Sequence, residues 1–344
     1  MFNGCYSLEK VPQLLNTTRV TNIGNIFQSC YIIKSVPLFD TQNVTSAASM
    51  FNGCFNLRSI PKFNFSKVTS FNAFFQNCSN LITIPQIDTS NGTSFVSMFS
   101  SCINLKSIPL LNTSKGTSFN GMFFNNPTLK RVPFLDSSQV TNISNMFSGC
   151  TSLQEVPFFD FTNVTAATNA FQSCVSLNYI PPFNLPNVTD FTNMFTSCGS
   201  LKVVPRLNTS RGTTFTSMFS SANTLYNVAQ IDTSRGTTFT GMFSQTSLLE
   251  LPALNFSSGS VFTNIFANIQ GVGGLRRLQV TGIAQNIDLT NQQLSSIELN
   301  EIYTNLATVG AAGSNTRTIT VTGNWGTPND TPSIAQNKGW QVTG

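Results

Sequence analysis

Eight cysteines are the most reactive side chains in this 344-residue chain, and all share one spacing. Cys5, Cys30, Cys54, Cys78, Cys102, Cys150, Cys174 and Cys198 each lie three residues beyond a Phe. Thiols can form disulfides, ligate zinc or act as nucleophiles. Zinc needs clustered thiolates, and no Cys-x-x-Cys occurs. Side chains held in one register point the same way, which suits a disulfide poorly. The expectation is a column of buried thiols that pack as small apolar groups. Histidine is absent, which removes the commonest general base and the Ser-His and Cys-His dyads. The 13 acidic residues are scattered, with Glu9, Glu155 and Glu250 far apart, so no acid pair of the glycosidase kind is visible. A carbohydrate-active enzyme is the least favoured reading, and no catalytic residue, cofactor or metal ligand is expected.

Charged side chains also fall into phase. Lys34, Arg58, Lys106, Lys130 and Lys202 lie seven residues past their Phe, and Lys67, Lys115, Arg211 and Arg235 lie sixteen past. The first row should point outward and could meet an anionic glycan or phosphate-bearing surface polymer, although a solvated face is the default for Lys. Nucleic acid is not expected, because no aromatic platform is interleaved with the row. Eleven past the Phe come Leu38, Leu110, Phe134, Phe158 and Pro182. Strand alternation turns them outward, and Phe134 with Phe158 then forms an apolar patch for a partner; a bend in the chain would bury them instead. Asp or Asn thirteen past the Phe, as at Asp40, Asn64 and Asp88, reads as turn chemistry rather than a cation stack, because Asn and Asp alternate freely. The sequons at Asn43, Asn64, Asn112, Asn163, Asn187 and Asn208 arise from the same repetition and point to a bacterial or viral source.

The elements behind these rows are copies of one unit. The anchor Phe recurs at 27, 51, 75, 99, 123, 147, 171, 195, 219 and 243, every 24 residues, with Phe2 and Phe266 at the flanks. Leu or Ile follows six past, Val or Ile nine past, Pro ten past and Thr eighteen past. A unit this short cannot enclose a core, so neighbours must cover one another. The chain is therefore predicted to be a repeat β-solenoid of about twelve coils, roughly 55–60 Å long at strand spacing. Leu-x-x-Ile-Pro reads as one short parallel strand per coil, and Val-Thr-x-Phe-x-x-Met-Phe-x-x-Cys as a short helical or 3-10 turn. Only 9% of residues are charged, the net charge is +5 and 31 residues are Phe, which describes an uncharged polar surface over an aromatic core.

Residues 1–266 form this repeat region, and residues 267–344 an expected small α/β cap. In the latter, Leu275–Thr281 reads as a strand. Ser295 with Glu298 forms a capping box for a helix reaching about Val309, with Ile297, Ile302, Leu306 and Val309 on its apolar face. Arg317–Thr322 alternates as a strand, a short helix follows Thr331-Pro332, and Trp340–Val342 closes the chain.

The in-phase pattern resembles the BspA-like leucine-rich repeat family. Met146, Phe147, Cys150, Leu153, Val156, Pro157, Asp160, Val164 and Thr165 match its consensus. Local departures are Asn126 and Ala222 for Cys, Ala229 for Pro, and Gly92, Gly116, Gly212 and Gly236 for Val. The resemblance implies an extracellular binding scaffold, in bacterial adhesins or in phage fibres and virion appendages. The N-terminus carries no visible secretory signal, no apolar stretch is long enough for membrane insertion, and Met1-Phe2 enters in mid-repeat. A non-catalytic phage virion component is therefore the leading expectation. Its first coil, with Phe2 and Leu8, would dock onto another virion or surface protein, with host-surface glycan or protein as ligand and homo-oligomerisation open. A bacterial cell-surface adhesin is the alternative.

Overall fold

The computed structural model describes residues 1–13, 16–269 and 274–344. Backbone proximity divides the chain into two compact units, Met1–Leu177 and Asn178–Gly344. That division falls among the repeats, whereas the 24-residue period itself runs on to Phe266.

In Met1–Leu177 each coil is joined to the next by alternate backbone amides. Ile143, Asn145, Phe147 and Gly149 donate to the carbonyls of Ala166, Thr168, Ala170 and Gln172 at 2.8–2.9 Å. The amides between them turn inward: Met146 donates to Ile143, Ser148 to Asn145 and Cys150 to Phe147 at 3.0–3.2 Å. The i to i+3 bonds expected of a 3-10 turn are thus present. A continuous helix is not, because Asn145 and Gly149 take left-handed φ values of 57° and 78° and re-aim the chain after each turn. Asn, Ser and Gly hold these two phases along most of the repeat, since they tolerate that conformation. Parallel pairing falls nineteen residues past the anchor, in single bridges such as Ser46 with Ser70 and Ser118 with Asn142. The Leu-x-x-Ile-Pro segment contributes one hydrogen bond at alternate steps: Arg58, Lys106 and Gln154 donate to the carbonyls of Lys34, Ile82 and Lys130 at 3.0–3.1 Å. Among the described residues of this unit it forms no longer strand, because Pro ends the ladder by lacking an N–H.

In Asn178–Gly344 the same segment does form two-residue strands, β1 (Val203–Val204) and β2 (Asn227–Val228), paired in parallel. Here Ala229 stands where Pro is usual, and its N–H donates to the Val204 carbonyl at 2.9 Å. The strand β3 (Glu250–Asn255) pairs with β4 (Arg277–Thr281) in a second parallel sheet, and β5 (Ile287–Asp288), β6 (Arg317–Thr320) and β7 (Trp340–Thr343) form a third. The helix α1 (Ser296–Asn305) begins with the expected box: Ser295 Oγ accepts from Glu298 N–H at 3.3 Å and donates to its carboxylate at 2.7 Å. It ends before Val309, and Leu299, Ile302, Tyr303 and Leu306 are its buried stripe. Ile297, expected on that stripe, is 76% exposed, because two residues of helix rotate it about 200° away from Leu299. The short α2 (Ser333–Gln336) precedes β7, whose buried Trp340 donates its indole N–H to the Ala307 carbonyl at 2.8 Å.

The core is a set of columns. Anchor rings stack coil on coil, Phe99 on Phe123 at 5.6 Å and Phe123 on Phe147 at 5.4 Å, nearly parallel. In the second unit a further column runs through Phe191, Phe215, Phe239 and Phe262 at 5.4–5.5 Å.

Candidate recognition face

The thiol column is buried from Cys30 onward, while Cys5 is exposed. It does more than fill space. In Met1–Leu177 each buried Sγ donates to the carbonyl of the preceding coil's anchor, as Cys54 does to Phe27 at 3.0 Å, Cys78 to Phe51 at 3.1 Å and Cys102 to Phe75 at 3.0 Å. Asn126 takes over at its step, donating to Phe99 and Phe123 at 2.8 Å. That hydrogen bond was not anticipated from the sequence, although Asn in a Cys column signals a donor role. Burial pushes the Cys30 thiol from 9.0 up to about 11, and the Cys102 and Cys150 thiols to about 12. Thiols held neutral in this way are poor nucleophiles.

The Asp/Asn positions cap their own turns. Asp88 accepts from Ser90 N–H at 2.9 Å, and Asn112 accepts from Ser114 N–H at 3.2 Å. The Ser90 hydroxyl and amide hold the Asp88 carboxyl below its usual range, and Thr162 does the same for Asp160. Among the described residues no group of three or more Cys, Asp or Glu side chains is placed to hold a metal ion. Of the cations sixteen past the anchor, two are tied to the preceding coil: Lys67 donates to Asn43 at 2.9 Å and Lys115 to Asn91 at 2.6 Å.

In Met1–Leu177 the row of Lys34, Arg58, Lys106 and Lys130 is exposed, and Lys202 is exposed in the other unit. Lys62 and Arg131, at neighbouring phases, are exposed too. Among the described residues the ion pair is Arg131 to Glu155 at 2.9 Å, which leaves the other cations without a carboxylate partner. Beside this row Leu110, Phe134 and Phe158 occupy one phase in three consecutive coils. Phe134 is 57% and Phe158 61% exposed, so the chain does not bend to bury them.

Near the start of the chain Phe2 is half-buried and stacks on Phe27 at 5.6 Å, and Leu8 is half-buried. An exposed ladder of Tyr6, Tyr31 and Phe55, stacked at 4.8 Å, was not anticipated. Aromatics at one phase in three successive units are its sequence signal. Among the described residues no helix is long and apolar enough to cross a membrane.

No curated protein sequence matches the chain. Among solved structures it is similar to a leucine-rich cell surface protein from Faecalibacterium prausnitzii, at 20% identity over 80% of this chain and 82% of that one, with a TM-score of 0.44. It is also similar to a leucine-rich repeat protein from Bacteroides ovatus, at 17% identity over 79% of each chain and a TM-score of 0.38. A leucine-rich repeat protein of T. pallidum is 18% identical over 63% of this chain and 91% of that one, with a TM-score of 0.32. The family model described as "Mycoplasma protein of unknown function, DUF285" matches residues 1–110, 73–181, 119–224 and 176–273, overlapping copies that span the whole repeat region. With its 24-residue coils and Phe, Cys and Leu columns in phase, the chain belongs to that family, and its repeats are leucine-rich repeats of the BspA-like type.

Proposed function

We propose that the chain is a bacterial cell-surface recognition protein that binds an acidic protein partner and catalyses no reaction. Membership of a BspA-like family supports the bacterial surface reading over the virion reading, which reverses the order drawn from the sequence alone. The contact surface is the exposed face of Met1–Leu177 built from Lys34, Arg58, Lys106, Lys130, Phe134 and Phe158. One observation carries this reading: a row of cations without carboxylate partners beside three exposed apolar side chains. A surface that only needed solubility would intersperse both signs of charge. Here the cations would steer an acidic partner, and the apolar row would supply the desolvated contact. Lys202 holds the same phase in the other unit and extends the same chemistry there.

Two measurements test the reading. Antibody against the chain should label intact cells of the source bacterium before lysis; labelling only after lysis overturns the surface assignment. The purified chain should be retained on immobilised poly-glutamate at low salt. Lys106→Gln with Lys130→Gln should lose that retention without a change in melting temperature, and unaltered retention would remove the cation row from the proposal.

A further inference from the structure

In the second unit the turn side of the coils is joined as in the first. Phe239, Gly241 and Phe243 donate to the carbonyls of Val261, Thr263 and Ile265 at 2.9–3.0 Å. One coil further on, that ladder opens. The amides of Phe262 and Asn264 have no acceptor among the described residues, although the strand side stays closed, with Leu251 against Leu278 and Asn255 against Thr281. The result is a wedge-shaped cleft of about 550 Å³, with Val261, Thr263 and Asn264 on one wall and Asn286, Asp288 and Arg317 on the other.

The polar groups in this cleft are only partly used. Arg317 donates through Nε to Ala284 at 3.2 Å and through Nη1 to Thr316 at 3.0 Å, which leaves its other terminal nitrogen without an acceptor among the described residues. Asp288 accepts at Oδ1 from Thr290 N–H at 2.8 Å and keeps its second oxygen open. Asn286 Oδ1 accepts from Thr318 N–H at 2.9 Å, so its NH2 group remains available. Arg317 and Asp288 line the same cleft without forming an ion pair.

We propose that the cleft binds an acidic saccharide unit, a hexuronate-type sugar. Its carboxylate meets the Arg317 guanidinium and the open amides of Phe262 and Asn264. Its ring hydroxyls meet Asp288, Asn286 and Thr263, and its C–H face lies on Val261, which is 38% exposed. Other occupants match less well. Sulfate has no hydroxyl to donate to the open Asp288 oxygen, and phosphate would bring a second negative charge toward it. A neutral sugar leaves the guanidinium and amides without an anion. An extended peptide needs donors and acceptors in alternation, whereas the Phe262 and Asn264 carbonyls are engaged within their own turns by Ile265 and Ala267. The volume suits a small polar ligand. This site lies within Asn178–Gly344 and does not rest on the recognition face proposed above.

The test is calorimetric titration of the full chain with glucuronate and galacturonate, with glucose and inorganic phosphate as controls. Saturable uronate binding is expected, at least about tenfold tighter than glucose or phosphate. Arg317→Gln should weaken uronate binding about tenfold or more. Asp288→Asn, which keeps the turn as Asn255 does with Ser257 at 2.9 Å, should weaken it several-fold. If Arg317→Gln fails to fold, Val261→Glu at an exposed position should abolish binding by placing a carboxylate against the ligand. The proposal is overturned by no uronate binding at about 10 mM, by phosphate or glucose binding equally well, or by uronate affinity that survives these changes.

Discussion

In Met1–Leu177 a thiol donates to the anchor carbonyl of the preceding coil at Cys30, Cys54, Cys78, Cys102, Cys150 and Cys174, with Asn126 as the exception. In Asn178–Gly344 the equivalent place passes from Cys198 to Ala222 and then to Thr246, whose hydroxyl donates to Phe243 at 2.8 Å. Beyond the period Asn324 does the same work, donating to Leu289 and Val321 at 2.8 Å. From Cys30 to Thr246 the position is short and buried, and in most coils it also supplies a donor beneath a carbonyl; Ala222 fills it without one. A thiol meets that need with little left over. An amide also brings an acceptor that must be satisfied. Asn324 Oδ1 accepts from Leu294 N–H at 3.1 Å, whereas buried Asn126 Oδ1 has no partner.

Alkali should separate the two units most strongly. Folding raises the Cys30, Cys102 and Cys150 pKa values above 9.0, so their stabilisation is complete below that pH and is lost as pH rises through about 11 to 12. Each fully buried thiol contributes a slope of about 1.4 kcal/mol per pH unit. Hydrogen exchange followed by peptide mass between neutral pH and alkali should show Met1–Leu177 opening first; simultaneous opening of both units would break the contrast. Gly236→Val should cost about 3 kcal/mol in chemical denaturation, since a Cβ there lies 2.2 Å from the Phe239 ring. Asn324→Ala should cost about 2 kcal/mol by stranding the Leu289 carbonyl and the Leu294 amide. The smallest effect runs the other way: Asn126→Cys restores the column, removes the orphaned oxygen and should raise stability by about 1 kcal/mol. A loss instead would mean that the amide is preferred at that step.

Much of the solenoid is legible because packing is periodic, and Phe, Cys, Leu and Pro occupy columns that only stacking explains. Even the departures carry meaning once side-chain volumes are compared. Gly92, Gly116, Gly212 and Gly236 each precede by three residues a Phe whose ring occupies the space a Cβ would need, at 2.2–3.0 Å. Val44 and Val164 instead precede Ala47 and Ala167, although Val68 and Val188 precede buried Phe71 and Phe191, so the exchange of volume holds in only part of the repeat. The left-handed phases were also within reach, since Asn, Ser and Gly cluster there. The pairing site was not, because it depends on which amides the Pro removes and which the turns consume. The open cleft was illegible for a different reason: it arises where the period stops, and no repeated column marks Asn264, Asp288 or Arg317 as neighbours.

The alternating amides have one further consequence. Within each unit's ladder a coil offers its successor the same donors that it accepts from its predecessor, so a copied or deleted unit there would leave both new junctions already matched. Length could then drift in whole modules by recombination between near-identical gene segments, with the reach of any outward row growing or shrinking without redesign of the interior.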